Sequence, residues 1–256
     1  LNPIHIIPRE FVVDSQGGIK YPIGMSGGRL EVETHIITAP NSYWQNIKKC
    51  VEQVGASVYD VIFTAWASSL AVLTDTEKEL GVTLLDIGAG TTGITIFQEG
   101  SITYSGCVPL GGSSITSDIA IGLQVSLEEA EKIKVNMNTL FDAKYDGSKI
   151  KPMTNIPKIL QKKEVATPKK KKEEDLDLNA IGIDKVVSKS MLEKIVNARC
   201  EEILDMVKDN ISKAGYDIAM PAGVVLTGGS SLLRDVTKLV QKVIGVAARV
   251  GYPSGL

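Results

Sequence analysis

The chain has 256 residues, of which 43% are hydrophobic and 23% are charged, and its formal net charge is −2. This composition is ordinary for a globular protein with a buried core, and the nearly balanced charge argues against nucleic acid as a partner. Cys50, Cys107 and Cys200 lie far apart without a C-x-x-C pair. Neither a disulfide framework nor a zinc site is therefore predicted, and a reducing cytosol is the simplest setting. No apolar run reaches the roughly 18 residues of a membrane-spanning helix.

The first 80 residues are predicted to contain both strands and helices. Leu30 to Ile37 alternates with Leu30, Val32, Thr34 and Ile36 on one face, which indicates a strand. Asn41 or Ser42 is expected to cap the first helix, and Gly55 to end it. The predicted elements are strands within residues 4–38, a helix at 41–54, a buried strand at 58–63 and a helix at 65–73.

Residues 81–110 carry the densest pattern. Strands are predicted at 82–86, 94–97 and 102–108, with tight turns between them, so this region is a meander and not a βαβ unit. A helix near 114–122 follows. The next helix opens at Ser126 with Glu129 three residues on, the spacing of a capping box.

The last part of the chain begins with a change in composition. From about 142 to 180, apolar residues thin out and a lysine run at 169–172 meets acidic residues at 173–175, which predicts a mobile, solvated insertion. A lipid or nucleic-acid patch is the alternative, but the acidic neighbours neutralise it. The elements predicted after it are a helix at 190–214 with a Ser190–Glu193 capping box, a strand at 224–226, a helix at 232–244 and a strand at 246–250.

The first chemical motif is the glycine-rich turn from Asp86 to Gly93. Its G-x-G-x-x-G spacing resembles a dinucleotide fingerprint, but that site needs a helix next and residues 94–97 alternate as a strand. The turn is instead interpreted as a phosphate loop, in which Gly88 and Gly90 expose backbone amides, and Thr91 and Thr92 add hydroxyls. Asp86 is predicted to hold Mg²⁺ through water. A glycine-rich hairpin without a ligand is the alternative.

Two further motifs follow along the chain. A buried strand leads into Gly228, Gly229 and Ser230, where a bare backbone suits a base or a ribose phosphate, although an ordinary strand-to-helix turn would look the same. Glu131 and Lys134 lie three residues apart on one helix face and are suited to a nucleoside. An ordinary surface ion pair is the alternative for these two residues.

The order and spacing of the three motifs resemble the actin–Hsp70–sugar kinase superfamily. The resemblance implies that ATP with Mg²⁺ binds at Asp86, Gly88, Gly90, Thr91, Thr92, Glu131, Lys134, Gly228, Gly229 and Ser230. Ala89 replaces a usual glycine of the pattern, and Gly93 replaces a usual acidic or polar residue. Crowding of the phosphate by the Ala89 methyl and a looser hairpin at Gly93 are expected.

Within that superfamily the chain resembles the FtsA family. The resemblance rests on the stretches at residues 5–11, 22–32, 67–81 and 116–120. It implies an α/β fold: an actin-like ATPase (ribonuclease H-like) lobe with a mixed sheet and flanking helices, plus part of the FtsA-specific inserted subdomain. The expected layout is residues 1–37 in that subdomain, 38–80 as a returning segment of the first core lobe, 81–122 and 222–256 as the second-lobe core, and 123–221 as its outer subdomain, interrupted by the insertion.

The resemblance also implies a function. It predicts an actin-like cell division protein that polymerises at the cytoplasmic face of the inner membrane, tethers the FtsZ ring and recruits later division proteins. A first phosphate loop and a C-terminal membrane helix are expected outside this chain. Arg199 and Glu202, in an Arg-x-x-Glu pattern, are expected to bind the acidic C-terminal peptide of FtsZ; a solvated arginine is the alternative. Turnover is at most slow, because no strong catalytic base is evident.

Two other functions fit parts of the pattern. A pilus-assembly adaptor similar to PilM would share the actin-like fold. A phosphotransferase of the sugar-kinase branch would need an aspartate beside the cleft, for which Asp118 is the candidate.

Overall fold

The computed structural model describes residues 2–142 and 175–253. In these two ranges the strands are β1 (Asn2–Val13), β2 (Gln16–Ile19), β3 (Leu30–Ala39), β4 (Val82–Ile87), β5 (Thr92–Gln98), β6 (Ser101–Val108), β7 (Asp175–Asp177), β8 (Val186–Ser188), β9 (Val224–Thr227) and β10 (Ala248–Val250). The α-helices are α1 (Asn41–Gln53), α2 (Thr64–Val72), α3 (Asp75–Leu80), α4 (Gly112–Leu123), α5 (Leu127–Val135), α6 (Met137–Asp142), α7 (Lys189–Lys213) and α8 (Val236–Ile244).

The chain divides into two compact units, one of residues 1–114 and 200–256 and one of residues 115–199. The first unit contains a three-stranded antiparallel sheet in the order β2-β1-β3. The predicted strand is confirmed as β3, but burial along it does not alternate: Leu30, Val32 and Ile36 are exposed, whereas Ile37 is buried.

A mixed five-stranded sheet forms the centre of the same unit, in the order β10-β9-β4-β5-β6. The predicted meander is confirmed, because β4, β5 and β6 pair antiparallel. On its other side β4 pairs parallel with β9, and β9 pairs parallel with β10. The turns that follow β4 and β9 therefore leave the sheet at the same end.

Helix α2 packs on this sheet over an apolar core. Each large side chain buried there stabilises the fold by about 1.5–3 kcal/mol relative to exposure. The core consists of Val72, Leu73, Val82, Leu84, Phe97, Ile102 and Val225. Beside this core, Gly93 of β5 faces Ala65 of α2 so closely that a Cβ at Gly93 would lie 2.7 Å from the Ala65 Cβ. The expected loosening at Gly93 is wrong: the glycine is buried and permits close packing of helix on strand.

The second unit contains α5, α6, β7, β8 and parts of α4 and α7. Ser126 caps α5 in the predicted capping box with Glu129. Leu176 and Leu178 are buried, Leu178 completely, and β7 pairs with β8. The predicted solvated insertion is therefore wrong for residues 175–180, where apolar side chains enter a core. The lysine run at 169–172 lies outside the described residues.

Other predictions fail for local reasons. Residues 58–63 do not form a strand; Val61 N–H donates to the Asp60 carboxylate and Phe63 N–H donates to His5 Nε2 at 3.0 Å. An apolar run cannot become a strand without a neighbouring strand to pair with. Pro40, not Asn41 or Ser42, precedes α1, without a side-chain cap.

Two helix starts also differ from prediction. Helix α7 begins at Lys189, and the Ser188 hydroxyl accepts from Met191 N–H at 3.3 Å, so the cap lies two residues before Ser190. Helix α8 begins only at Val236, because Asp235 takes a left-handed conformation with φ of 56°.

None of the helices in the two described ranges is both long enough and apolar enough to cross a membrane. All three cysteines are free.

Candidate functional site

The first predicted turn joins β4 to β5 and is fixed by backbone hydrogen bonds. Gly88 N–H donates to the Thr91 carbonyl at 2.9 Å. The first amides of α4 also donate to carbonyls of the turn: Gly112 N–H donates to Gly88 O at 2.9 Å, and Ser113 N–H donates to Ala89 O at 2.8 Å. Gly90 and Thr91 are left exposed at the tip.

The second turn follows β9 and lies directly against the first. Gly228 has φ of 82°, and a Cβ there would lie 2.6 Å from both Asp86 Oδ1 and Ile87 O. Only glycine fits, both for the conformation and for the close approach. The Ser230 hydroxyl donates to Gly88 O at 3.3 Å, which joins the two turns.

The tips of both turns consist of exposed glycine backbone, at Gly90 and at Gly229. Among the described residues, no atom outside the adjoining ones lies within 4 Å of where a Cβ would stand at Gly90 or at Gly229. Backbone of this kind can be approached closely by a flat or anionic ligand. Ala89, the replacement expected to crowd this approach, is itself exposed.

Asp86 is the last residue but one of β4, next to both turns, and is half-buried. The Ser68 hydroxyl of α2 donates to Asp86 Oδ2 at 2.8 Å, while Oδ1 lies on the Gly228 side. In the described ranges, no group of three or more His, Cys, Asp or Glu side chains is arranged to hold a metal ion.

Thr92 does not lie where the sequence predicts. Its side chain is fully buried and its hydroxyl donates to the Leu110 carbonyl at 2.8 Å. The prediction that Thr92 adds a hydroxyl to a ligand is wrong, because the alternation of β5 turns this side chain inward. The Thr92 hydroxyl instead connects the start of β5 to the segment between β6 and α4.

Glu131 and Lys134 belong to the second unit and form a cluster with Thr116. The Glu131 carboxylate lies 2.8 Å from Lys134 Nζ, and Thr116 Oγ1 donates to it at 2.5 Å. Lys134 Nζ also donates to Thr116 Oγ1 at 2.9 Å. Burial raises the pKa of Glu131, but the hydrogen bonds from Lys134 and Thr116 outweigh it and lower the pKa overall. Glu131 is thus held ionised, as part of a network and not as an isolated surface pair.

Arg199, also in the second unit, is paired with Asp118. Its Nε lies 2.5 Å from Asp118 Oδ2 and its Nη2 donates to Oδ1 at 2.9 Å, a two-pronged ion pair. About a quarter of each side chain is exposed. Arg199 is therefore not a solvated arginine, and Asp118 is not a free carboxylate. Glu202 lies three residues further along α7.

Sequence analysis missed Ser68 and Thr116 as parts of these clusters. The hydroxyl of each donates to a carboxylate that is distant in sequence, 18 residues away for Ser68 and 15 for Thr116. Serine and threonine are common on helices, so the pattern gives no signal until the packing of α2 and α4 is known.

Solved structures share this architecture. MreB5 of Spiroplasma citri bound to ADP matches with a TM-score of 0.58 at 18% identity, over 84% of this chain and 61% of that one. The PilM–PilN type IV pilus biogenesis complex matches with 0.57 at 14%, over 97% and 57%. With its mixed sheet and flanking helices, the chain has the actin-like ATPase fold, as predicted.

Sequence comparison goes further than the fold. The family model described as cell division protein FtsA matches residues 83–255, and the one described as SHS2 domain inserted in FTSA matches residues 2–38. The chain belongs to the FtsA family of cell division proteins. The FtsA of Pseudomonas aeruginosa is 35% identical over 250 residues, 98% of this chain and 54% of that protein. That of Bacillus subtilis is 35% identical over 253 residues, 98% and 52%. The chain spans about half the length of the curated relatives it matches.

Proposed function

We propose that this chain contributes the ATP site of an actin-like cell division protein. The observation that carries the proposal is the meeting of two glycine turns, after β4 and after β9, at one end of the sheet beside Asp86. Both turns present bare backbone at their tips, which favours phosphate at Gly90 and Thr91 and a base or ribose at Gly229. The ADP named for the MreB5 structure is consistent with a nucleotide in this fold.

Each predicted residue then has a distinct part. Asp86 would hold Mg²⁺ through water, and Mg²⁺ would neutralise charge on the phosphates. Ser230 joins the two turns through Gly88, and Thr92 connects the end of the first turn to the segment before α4. The Glu131 carboxylate and the Lys134 ammonium group are proposed to contact the nucleoside.

The wider role proposed is that of the family. The protein would polymerise at the cytoplasmic face of the inner membrane at the division site, tether the FtsZ ring and recruit later division proteins. Arg199 and Glu202 are proposed to bind the acidic FtsZ C-terminal peptide. Family membership supports this role, and the measurements that test it are ATP-dependent sedimentation and affinity for that peptide.

A sugar-kinase-type phosphotransferase is less well supported. Both oxygens of Asp118 accept from Arg199, so the one candidate aspartate is committed to an ion pair. A PilM-like adaptor has the same fold, but the family models that match this chain are those of FtsA.

The nucleotide site is tested with Gly229→Ala and Gly90→Ala in the protein that carries this chain. At either position, the added methyl has no non-adjoining atom within 4 Å in the part of the chain that the structure describes. It should therefore leave folding unchanged but occupy ligand space. We expect the affinity for Mg-ATP, measured by calorimetry, to fall about tenfold, which corresponds to about 1.4 kcal/mol.

Gly28→Ala is the matched control, because it is also exposed and its new methyl would have Asp14 Oδ1 as nearest neighbour, at 3.7 Å. Wild-type affinity in both turn variants, or an equal loss in the control, would contradict the proposed site.

A further inference from the structure

Ser68 is the side chain that fixes the Asp86 carboxylate. Its hydroxyl donates to Oδ2 at 2.8 Å, and Ser68 lies near the middle of α2, away from both glycine turns in sequence. A hydroxyl donated to one carboxylate oxygen sets the rotamer of the carboxylate and leaves the other oxygen to bind elsewhere.

The packing of α2 explains how so short a side chain reaches the strand. Asp86 and Gly93 are cross-strand partners, so their Cα substituents share one face of the sheet. Ala65 packs against Gly93 on that face, and Ser68 follows Ala65 by one helical turn on the same side of α2. Because Gly93 has no side chain, the helix comes close enough for the Ser68 Oγ to contact Asp86.

The second carboxylate oxygen of Asp86, Oδ1, lies next to the turn that follows β9. Oδ1 lies so close to the backbone of Gly228 that a side chain at position 228 would clash with it. The carboxylate is thus held at Oδ2 by α2, and its Oδ1 is directed to the side where the two turns meet.

We propose that Ser68 is a positioning residue for metal binding: it holds Asp86 so that Oδ1 accepts from a water of nucleotide-bound Mg²⁺. The inference rests on the proposed nucleotide function and adds a residue to it. Ser68 contacts neither the nucleotide nor the metal. Its effect should therefore appear in the contribution of Mg²⁺ to binding and not in the binding of the nucleotide itself.

The test is the affinity of the protein that carries this chain for ATP, measured by calorimetry with MgCl₂ and with EDTA. The quantity of interest is the ratio of the two affinities. Ser68→Ala should reduce this ratio by roughly tenfold, the lower end of the usual effect of removing a partner that orients a metal ligand. The affinity in EDTA should change by less than about twofold. Ser68→Thr retains the hydroxyl and should restore the ratio.

Ser69→Ala is the matched control on the same helix. Ser69 is buried and its hydroxyl donates to the Trp66 carbonyl at 2.6 Å, so it does not bond to Asp86. This variant should keep the wild-type ratio, and thermal unfolding should show that all three variants are folded.

The outcomes separate the inference from the function on which it rests. If the wild-type protein binds ATP more tightly with Mg²⁺ and Ser68→Ala keeps that ratio, the positioning role is rejected while the nucleotide site stands. An equal loss with Mg²⁺ and with EDTA, or no recovery in Ser68→Thr, also rejects it, because the serine would then be merely structural. If the wild-type protein binds no ATP under either condition, the nucleotide proposal itself is rejected.

Discussion

At the scale of single residues, Glu77 is a carboxylate outside the candidate site that several hydrogen bonds stabilise in its ionised form. It completes the Thr74 capping box of α3 and also forms a two-pronged ion pair with Arg249, with both N–O distances 2.7 Å. The hydrogen bond from Arg249 lowers the pKa of Glu77 most, burial opposes it, and together the contacts bring the pKa to about 2 from the ordinary 4.5.

Glu77→Gln should separate the ion pair from the cap, because glutamine can still complete a capping box. We expect a loss of about 1–2 kcal/mol in the free energy of unfolding at pH 7, given that Arg249 is partly exposed. The pKa is depressed in the folded state, so the stability due to the charge is present above about pH 4.5 and disappears as pH falls towards 2. Urea unfolding at several pH values between 7 and 2.5 measures this.

Glu129→Gln is the control, since Glu129 completes the same box at Ser126 in α5 without an arginine bonded to it. An equal loss in both variants would assign the effect to the caps and not to Arg249.

At the scale of elements, the contact of α2 with β5 depends on one missing side chain. Gly93→Ala would place a methyl 2.7 Å from the Ala65 Cβ in a buried position. Overpacking of this kind costs typically about 1–3 kcal/mol, and thermal or urea unfolding should show it. Ala65→Gly in the same chain removes the opposing methyl. The double variant should then lose less stability than the sum of the two single variants.

Additive losses in that double-mutant cycle would show that the two residues do not oppose each other. Gly28→Ala, at an exposed glycine of a loop, should leave stability nearly unchanged and controls for the substitution itself.

The elements also show how far sequence patterns reach. Sequence patterns predict β4, β5 and β6 because each of these strands pairs with a strand that is adjacent in sequence. They predict β9 because a glycine turn follows it directly. The run at 58–63 has similar composition but no partner strand, and the starts of α7 and α8 depend on local backbone geometry. The two glycine turns of the site were predictable; the Ser68 bond to Asp86 was not, because it depends on the distance between α2 and β5.

At the scale of the whole molecule, the proposed attachment to FtsZ depends on Arg199, which is already paired with Asp118. Arg199→Gln should weaken binding of the FtsZ C-terminal peptide by roughly tenfold, about 1.4 kcal/mol, because a desolvated charge partner is lost. Fluorescence anisotropy of a labelled peptide measures this. Asp118→Asn combined with Arg199→Gln leaves no unpaired carboxylate and should bind as weakly as the single variant.

Lys194→Gln removes one exposed positive charge from the same helix and is the matched control. Should it weaken the peptide as much as Arg199→Gln does, the interaction would be a general charge attraction and Arg199 would have no special part.

The Gly88 carbonyl accepts from two partners at once, Gly112 N–H at the start of α4 and the hydroxyl of Ser230. Rotating the peptide at Gly88 would break both bonds together. These bonds order the two turns as one unit, so the proposed nucleotide would bind there without the entropy loss of organising two separate segments of chain.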